Sequence, residues 1–114
     1  MSKAAELANH LSQLSAAGLY HSDFYWSWDK TGDEIEAIFT VADALRDLRE
    51  RNKDTRIFQS GLGISIFRDN STRTRFSFAS ACNFLGLKEQ PLDEKVSQIA
   101  HGETVRETAN MVSF

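Results

Sequence analysis

Phe67-Arg68-Asp69-Asn70-Ser71-Thr72-Arg73-Thr74-Arg75 is the stretch that decides how this chain folds. It follows the apolar run Leu62-Gly63-Ile64-Ser65-Ile66 and precedes a segment of helical character, so it reads as a strand-to-helix turn. A helix start presents backbone N–H groups without intrahelical partners and carries a partial positive charge, and it therefore attracts anions. Ser71, Thr72 and Thr74 add hydroxyls there, and Arg73 and Arg75 add guanidinium groups. That set suits a small, doubly charged phosphate. Gly61 and Gly63 lie too early to form a polyphosphate loop, so neither a nucleoside-triphosphate loop nor a dinucleotide fingerprint is present. A plainer reading also fits the local chemistry: residues 71–75 as an exposed polar first turn whose arginines are merely solvated.

Working outward, the third helix is expected over about 71–85 with Gly86 as its stop, and the preceding strand over 57–67. Residues 87–92 form a weak strand candidate, in which Pro91 favours an edge or an early exit. A loop over 93–102 leads to a last helix. There Thr104 and Glu107 have capping-box spacing, and Val105, Ala109 and Val112 carry the helix to Phe114. Towards the N-terminus, Leu7, Leu11 and Leu14 mark a helix over 3–17 that Gly18 ends. Residues 19–30 hold Tyr20, Phe24, Tyr25, Trp26 and Trp28, an irregular aromatic segment expected to pack onto the domain, with a stacking platform of Trp26 and Trp28 as the alternative. Thr31-Gly32-Asp33-Glu34 is a capping box opening a helix over 32–51, with Ile35, Ile38, Phe39, Ala42, Leu45 and Leu48 as its apolar stripe.

The class is α/β, yet one firm strand among about four helices is too little sheet for a complete α/β domain. The last helix has no stop signal, so the sequence reads as cut off. With 114 residues, the chain has the length of one domain. A net charge of −3 argues against a broad nucleic-acid face, and no apolar run approaches a membrane span. The single cysteine, Cys82, excludes an internal disulfide and fits a reducing compartment. Lys3 and Glu6 interrupt any signal-peptide block, which leaves a cytoplasmic protein as the expectation.

Ser71-Thr72-Arg73-Thr74-Arg75 followed by Ser77-Phe78 resembles the S-T-R-T-R-x-S-F signature of the aspartate and ornithine carbamoyltransferase family. Ser97-Gln98-Ile99-Ala100-His101-Gly102-Glu103-Thr104 resembles the family loop that reaches into a neighbouring subunit's site. Its S-Q-I-x-H form is nearer the ornithine branch, while Gly102-Glu103-Thr104 also occurs in the aspartate branch. The resemblance spans roughly residues 24–114. It implies transfer of the carbamoyl group of carbamoyl phosphate to an amine, in a two-domain enzyme assembled as trimers or dimers of trimers. Residues 1–114 would then be a truncated N-terminal carbamoyl-phosphate-binding domain, a parallel sheet with flanking helices, lacking the second, amine-binding domain. Ser71, Thr72, Arg73 and Thr74 would cradle the phosphate, with Arg73 and Thr74 catalytic and Gln98 and His101 given to the adjacent subunit. The resemblance calls for no metal and no cofactor. A non-catalytic phosphate-binding or assembly module of the same fold is the alternative.

The departures concern the amine rather than the phosphate. Ala79 stands where the family often has glutamate, and Arg68 where it often has an acid, which suggests a divergent branch. Elsewhere, Cys82 reads as a small core residue and His10 and His21 as surface or packing residues. His101-Gly102-Glu103 mimics part of a zinc deaminase motif, but no cysteine follows residue 82. Three scattered histidines and one cysteine make a poor metal set.

Overall fold

A computed structural model describes residues 2–67, 70–93, 102 and 104–113. The chain forms two compact units, Met1–Thr55 and Arg56–Phe114.

The first unit holds helices α1 (Lys3–Ser12) and α2 (Gly32–Glu50), with 3₁₀ turns at Ala17–Leu19 and Ser27–Asp29 between them. Helix α1 starts at Ser2, whose hydroxyl accepts from the Ala5 N–H at 3.2 Å. It stops at Ser12 rather than running to residue 17. There the Ser12 hydroxyl donates to the Asn9 carbonyl at 2.6 Å, and the Ser15 N–H donates to Asp33 Oδ2 at 2.9 Å. Local and tertiary partners thus replace the helical ladder. The Ala4 N–H donates to Asp47 Oδ2 at 3.1 Å, and His10 Nε2 lies 2.8 Å from Glu36 Oε1, so both ends of α1 are fastened to α2. Helix α2 buries Ala37 and Thr40, while Phe39 in its apolar stripe stays 66% exposed. The aromatic segment also departs from expectation. Trp26 and Trp28 stack on each other at 5.2 Å and 11° rather than packing down, and Trp28 remains 77% exposed.

The second unit is a β–α–β crossover followed by a helix: β1 (Leu62–Ile66), α3 (Thr72–Leu85), β2 (Lys88–Leu92) and α4 (Val105–Val112). The strands pair in parallel, Leu62 opposite Lys88 and Ile66 opposite Leu92, and parallel pairing requires a crossover such as α3 provides. Strand β1 is shorter than the expected 57–67. The Phe58 N–H donates to the Leu85 carbonyl at the end of α3 (2.9 Å), and the ladder begins only at Gly61, which accepts from the Lys88 N–H at 3.0 Å. The weak strand candidate is a real strand, with Pro91 opposite Ser65.

Strand and crossover helix touch where Gly63 faces Cys82. A Cβ at Gly63 would collide with the Cys82 thiol, which is 4% exposed, so this glycine permits the close approach. Gly86 ends α3 with φ 91°, the left-handed conformation that favours glycine, and a Cβ there would run into the Phe58 carbonyl. Leu62 and Ile66 remain exposed at 59% and 56%, in keeping with a sheet of two strands among the described residues. Helix α4 opens with the expected box, Thr104 and Glu107 each bonding the other's backbone, and has Ser113 as its C-cap. Among the described residues, no helix is long and apolar enough to cross a membrane.

Candidate functional site

The crossover places the start of α3 beyond the C-terminal end of β1, the edge where open α/β sheets bind their ligands. Ser71 is the N-cap, extended at φ −139° and ψ 105° and half-buried, and its hydroxyl makes no capping hydrogen bond. Thr72, Arg73 and Thr74 are the first three helical residues, and all are exposed. Among the described residues, no hydrogen bond or ion pair engages the side chains of these four. Their hydroxyls, the Arg73 guanidinium and the first-turn N–H groups therefore gather at one helix start with bonding capacity open among the described residues.

The other helix starts are built differently. Helix α1 has Glu6 in its first turn, α2 has Asp33 and Glu34, and α4 has Glu107. Helix α3 has no acid in that turn; it has arginine instead. Positive side chains at the positive end of a helix dipole are unfavourable by a few tenths of a kcal/mol to about 1 kcal/mol each, unless an anion compensates them. At α2 the charge is neutralised from within. The Glu34 carboxylate accepts from the Thr31 N–H at 3.0 Å while the Thr31 hydroxyl accepts from the Glu34 N–H at 3.1 Å. The backbone bond from Thr31 holds the Glu34 carboxyl below its ordinary range; desolvation opposes it, and the Thr31 hydroxyl and the nearby Lys30 add smaller downward effects.

Ser71, Thr72, Arg73 and Thr74 are thus brought together as expected, at one helix start. Gln98 and His101 lie outside the described residues. One contact had no counterpart in the sequence reading: the Arg75 guanidinium carbon lies 4.7 Å from the centre of the Phe67 ring. No helical or strand period relates the two, since Phe67 lies outside both β1 and α3 and Arg75 lies within α3. Cys82 is buried, as its sequence context implied, and His10 is an exposed partner of Glu36. Among the described residues, no group of three or more His, Cys, Asp or Glu side chains could hold a metal ion.

The family model for the carbamoyl-P binding domain of aspartate/ornithine carbamoyltransferases matches residues 22–114. The chain belongs to this family. It is 59% identical over 109 residues to YgeW of Escherichia coli (strain K12), a match covering 96% of this chain and 27% of YgeW. It is 40% identical over 81 residues to the aspartate carbamoyltransferase catalytic subunit of Saccharophagus degradans, covering 70% of this chain and 24% of that subunit. Both comparisons span only a fraction of the relative's length. Among solved structures it resembles the aspartate transcarbamoylase of Trypanosoma cruzi in complex with aspartate and phosphate. There the TM-score is 0.72 at 23% identity, over 90% of this chain and 33% of that one. This likeness supports the α/β fold with its parallel strands.

Proposed function

We propose that this chain is the N-terminal, carbamoyl-phosphate-binding part of a carbamoyltransferase, and that the whole protein transfers the carbamoyl group to the amino group of a small, amino-acid-like substrate. The observation that carries this reading is the acid-free, uncapped start of α3, which falls within the matched family span. Ser71, Thr72, Arg73 and Thr74 bind the phosphate through hydroxyls, backbone N–H groups and the guanidinium. The amine nitrogen forms a bond to the carbamoyl carbon and sheds a proton, and the carbon–oxygen bond to phosphate breaks. Thr74 polarises the carbonyl oxygen as charge grows on it, and Arg73 stabilises the departing phosphate, such a charge-assisted contact contributing about 1.5–3 kcal/mol. Rate enhancement of this kind comes from positioning and charge stabilisation, without a covalent enzyme intermediate.

Gln98 and His101 complete the site of an adjacent subunit in a trimer or dimer of trimers, and the protein works in the cytoplasm. The T. cruzi enzyme was solved with aspartate and phosphate, which supports an amino-acid acceptor and a phosphate-type leaving group. Residues 1–114 form an incomplete domain in this reading, and the amine is held by a second domain. Ala79 favours a second reading, a phosphate-binding or assembly module without transfer, because the expected carboxylate is replaced by a methyl group.

Calorimetry on the full-length protein tests the site. Arg73→Ala is expected to weaken carbamoyl phosphate binding about tenfold or more, in line with loss of a charged hydrogen bond. Unchanged affinity would remove Arg73 from the site. A protein that binds carbamoyl phosphate but carbamoylates nothing in a broad amino-acid panel would establish the second reading.

A further inference from the structure

We propose that Phe67 and Arg75 form a clasp across the strand-to-helix connection, which positions Arg73 and the first turn of α3 for carbamoyl phosphate. The inference rests on the function proposed above and concerns the preparation of that site. Phe67 follows β1 directly, and Arg75 is the fourth residue of α3. At 4.7 Å from guanidinium carbon to ring centre, the pair lies within cation–π range.

Two arguments give the contact a purpose. Many helices fix the angle of the entering chain with a hydrophobic staple, which joins the residue before the N-cap to the fourth helical residue. Here the residue before the N-cap is Asn70, which is polar, and the fourth helical residue meets Phe67 instead. The connection contains neither glycine nor proline, so no special backbone residue dictates its path. The second argument concerns charge. Arg73 and Arg75 share one helix start, but residues two apart on a helix do not face each other, so the two positive charges leave it in different directions. Seating Arg75 over the Phe67 ring assigns the two arginines of the motif different tasks: Arg73 is the ligand and Arg75 the fastening. Arg75 is therefore a positioning residue that acts through the turn.

A double-mutant cycle on the full-length protein tests this, with carbamoyl phosphate affinity read by calorimetry. Phe67→Leu and Arg75→Met are each expected to weaken binding about three- to fivefold, and the double variant no more than the worse single, since both remove one interaction. Phe67→Trp, which keeps the π face, is expected to retain wild-type affinity, and Arg75→Lys to fall between wild type and Arg75→Met. A double variant whose loss equals the product of the singles would overturn the clasp, because Arg75 would then meet the anion on its own account. No change in either single would overturn it as well. Should Phe67→Leu fail to fold, Phe67→Met takes its place in the cycle, since its flexible side chain fills the space without a π face, and the same outcomes decide. Loss of affinity in Arg73→Ala beside unaffected clasp variants would sink the clasp alone. An unaffected Arg73→Ala would sink the site reading and the clasp with it.

Discussion

Helices α2 and α3 begin in opposite ways. At α2, Thr31 and Glu34 close the helix end on itself, and two acids sit against its positive pole. At α3, Ser71 leaves its hydroxyl out of the helix, no acid follows, and an arginine occupies the first turn. The α2 start satisfies its own backbone and needs nothing further. The α3 start leaves that bonding capacity open among the described residues. One polypeptide therefore treats the same orphan N–H groups in two ways, and in the function proposed above the second is the one a ligand uses.

Converting the second arrangement into the first should have the largest effect. Thr74→Glu places a glutamate three residues after Ser71, the spacing that Thr31 and Glu34 have. The new carboxylate would occupy the anion's place, repel phosphate and remove a hydroxyl. Calorimetry on the full-length protein is expected to show carbamoyl phosphate binding weakened by about a hundredfold or more, with the melting temperature unchanged or raised. Retained affinity would mean that the anion does not sit at this helix start. The reverse experiment is milder. Thr31→Ala removes a cap that serves only the fold, and should cost about 1 kcal/mol in denaturant unfolding while leaving carbamoyl phosphate affinity within about twofold. A large loss of binding would show that the two starts are not independent.

The smallest effect is a pH dependence confined to α2. The Glu34 carboxyl is held below its ordinary value of 4.5, so its contribution to stability is fully present above that value and fades as pH falls through the lower folded one. Thermal melts of wild type and Glu34→Gln should therefore converge in acid, separate as pH rises from the lowered folded value towards 4.5, and keep a constant gap above it. Parallel curves across that range would remove Glu34 from the cap. The first turn of α3 has no carboxylate to protonate, so it carries no counterpart of this acid-sensitive cap.

Local signals were the legible ones. The box at Thr31 and the stop at Gly86 are each written within a few residues, and the structure has both where they were expected. The helix start at Ser71 to Thr74 belongs to the same class, because its hydroxyls and guanidinium lie in consecutive positions. What escaped depends on partners far along the chain. Helix α1 ends early partly because Ser15 finds Asp33, and β1 begins late because Phe58 bonds to Leu85. The Trp26–Trp28 stack and the Phe67–Arg75 contact are local in sequence, yet neither follows a helical or strand period that could have announced it.

The seat of Cys82 beneath Gly63 has a practical consequence. It is the sole sulfhydryl in the sequence, and the chain's own backbone covers it where β1 meets the crossover helix. A thiol reagent can reach it only when that seam parts, so its labelling rate is a clock for local opening between β1 and α3. A ligand that tightens the seam would slow the clock, which makes occupancy readable by mass spectrometry without any engineered probe.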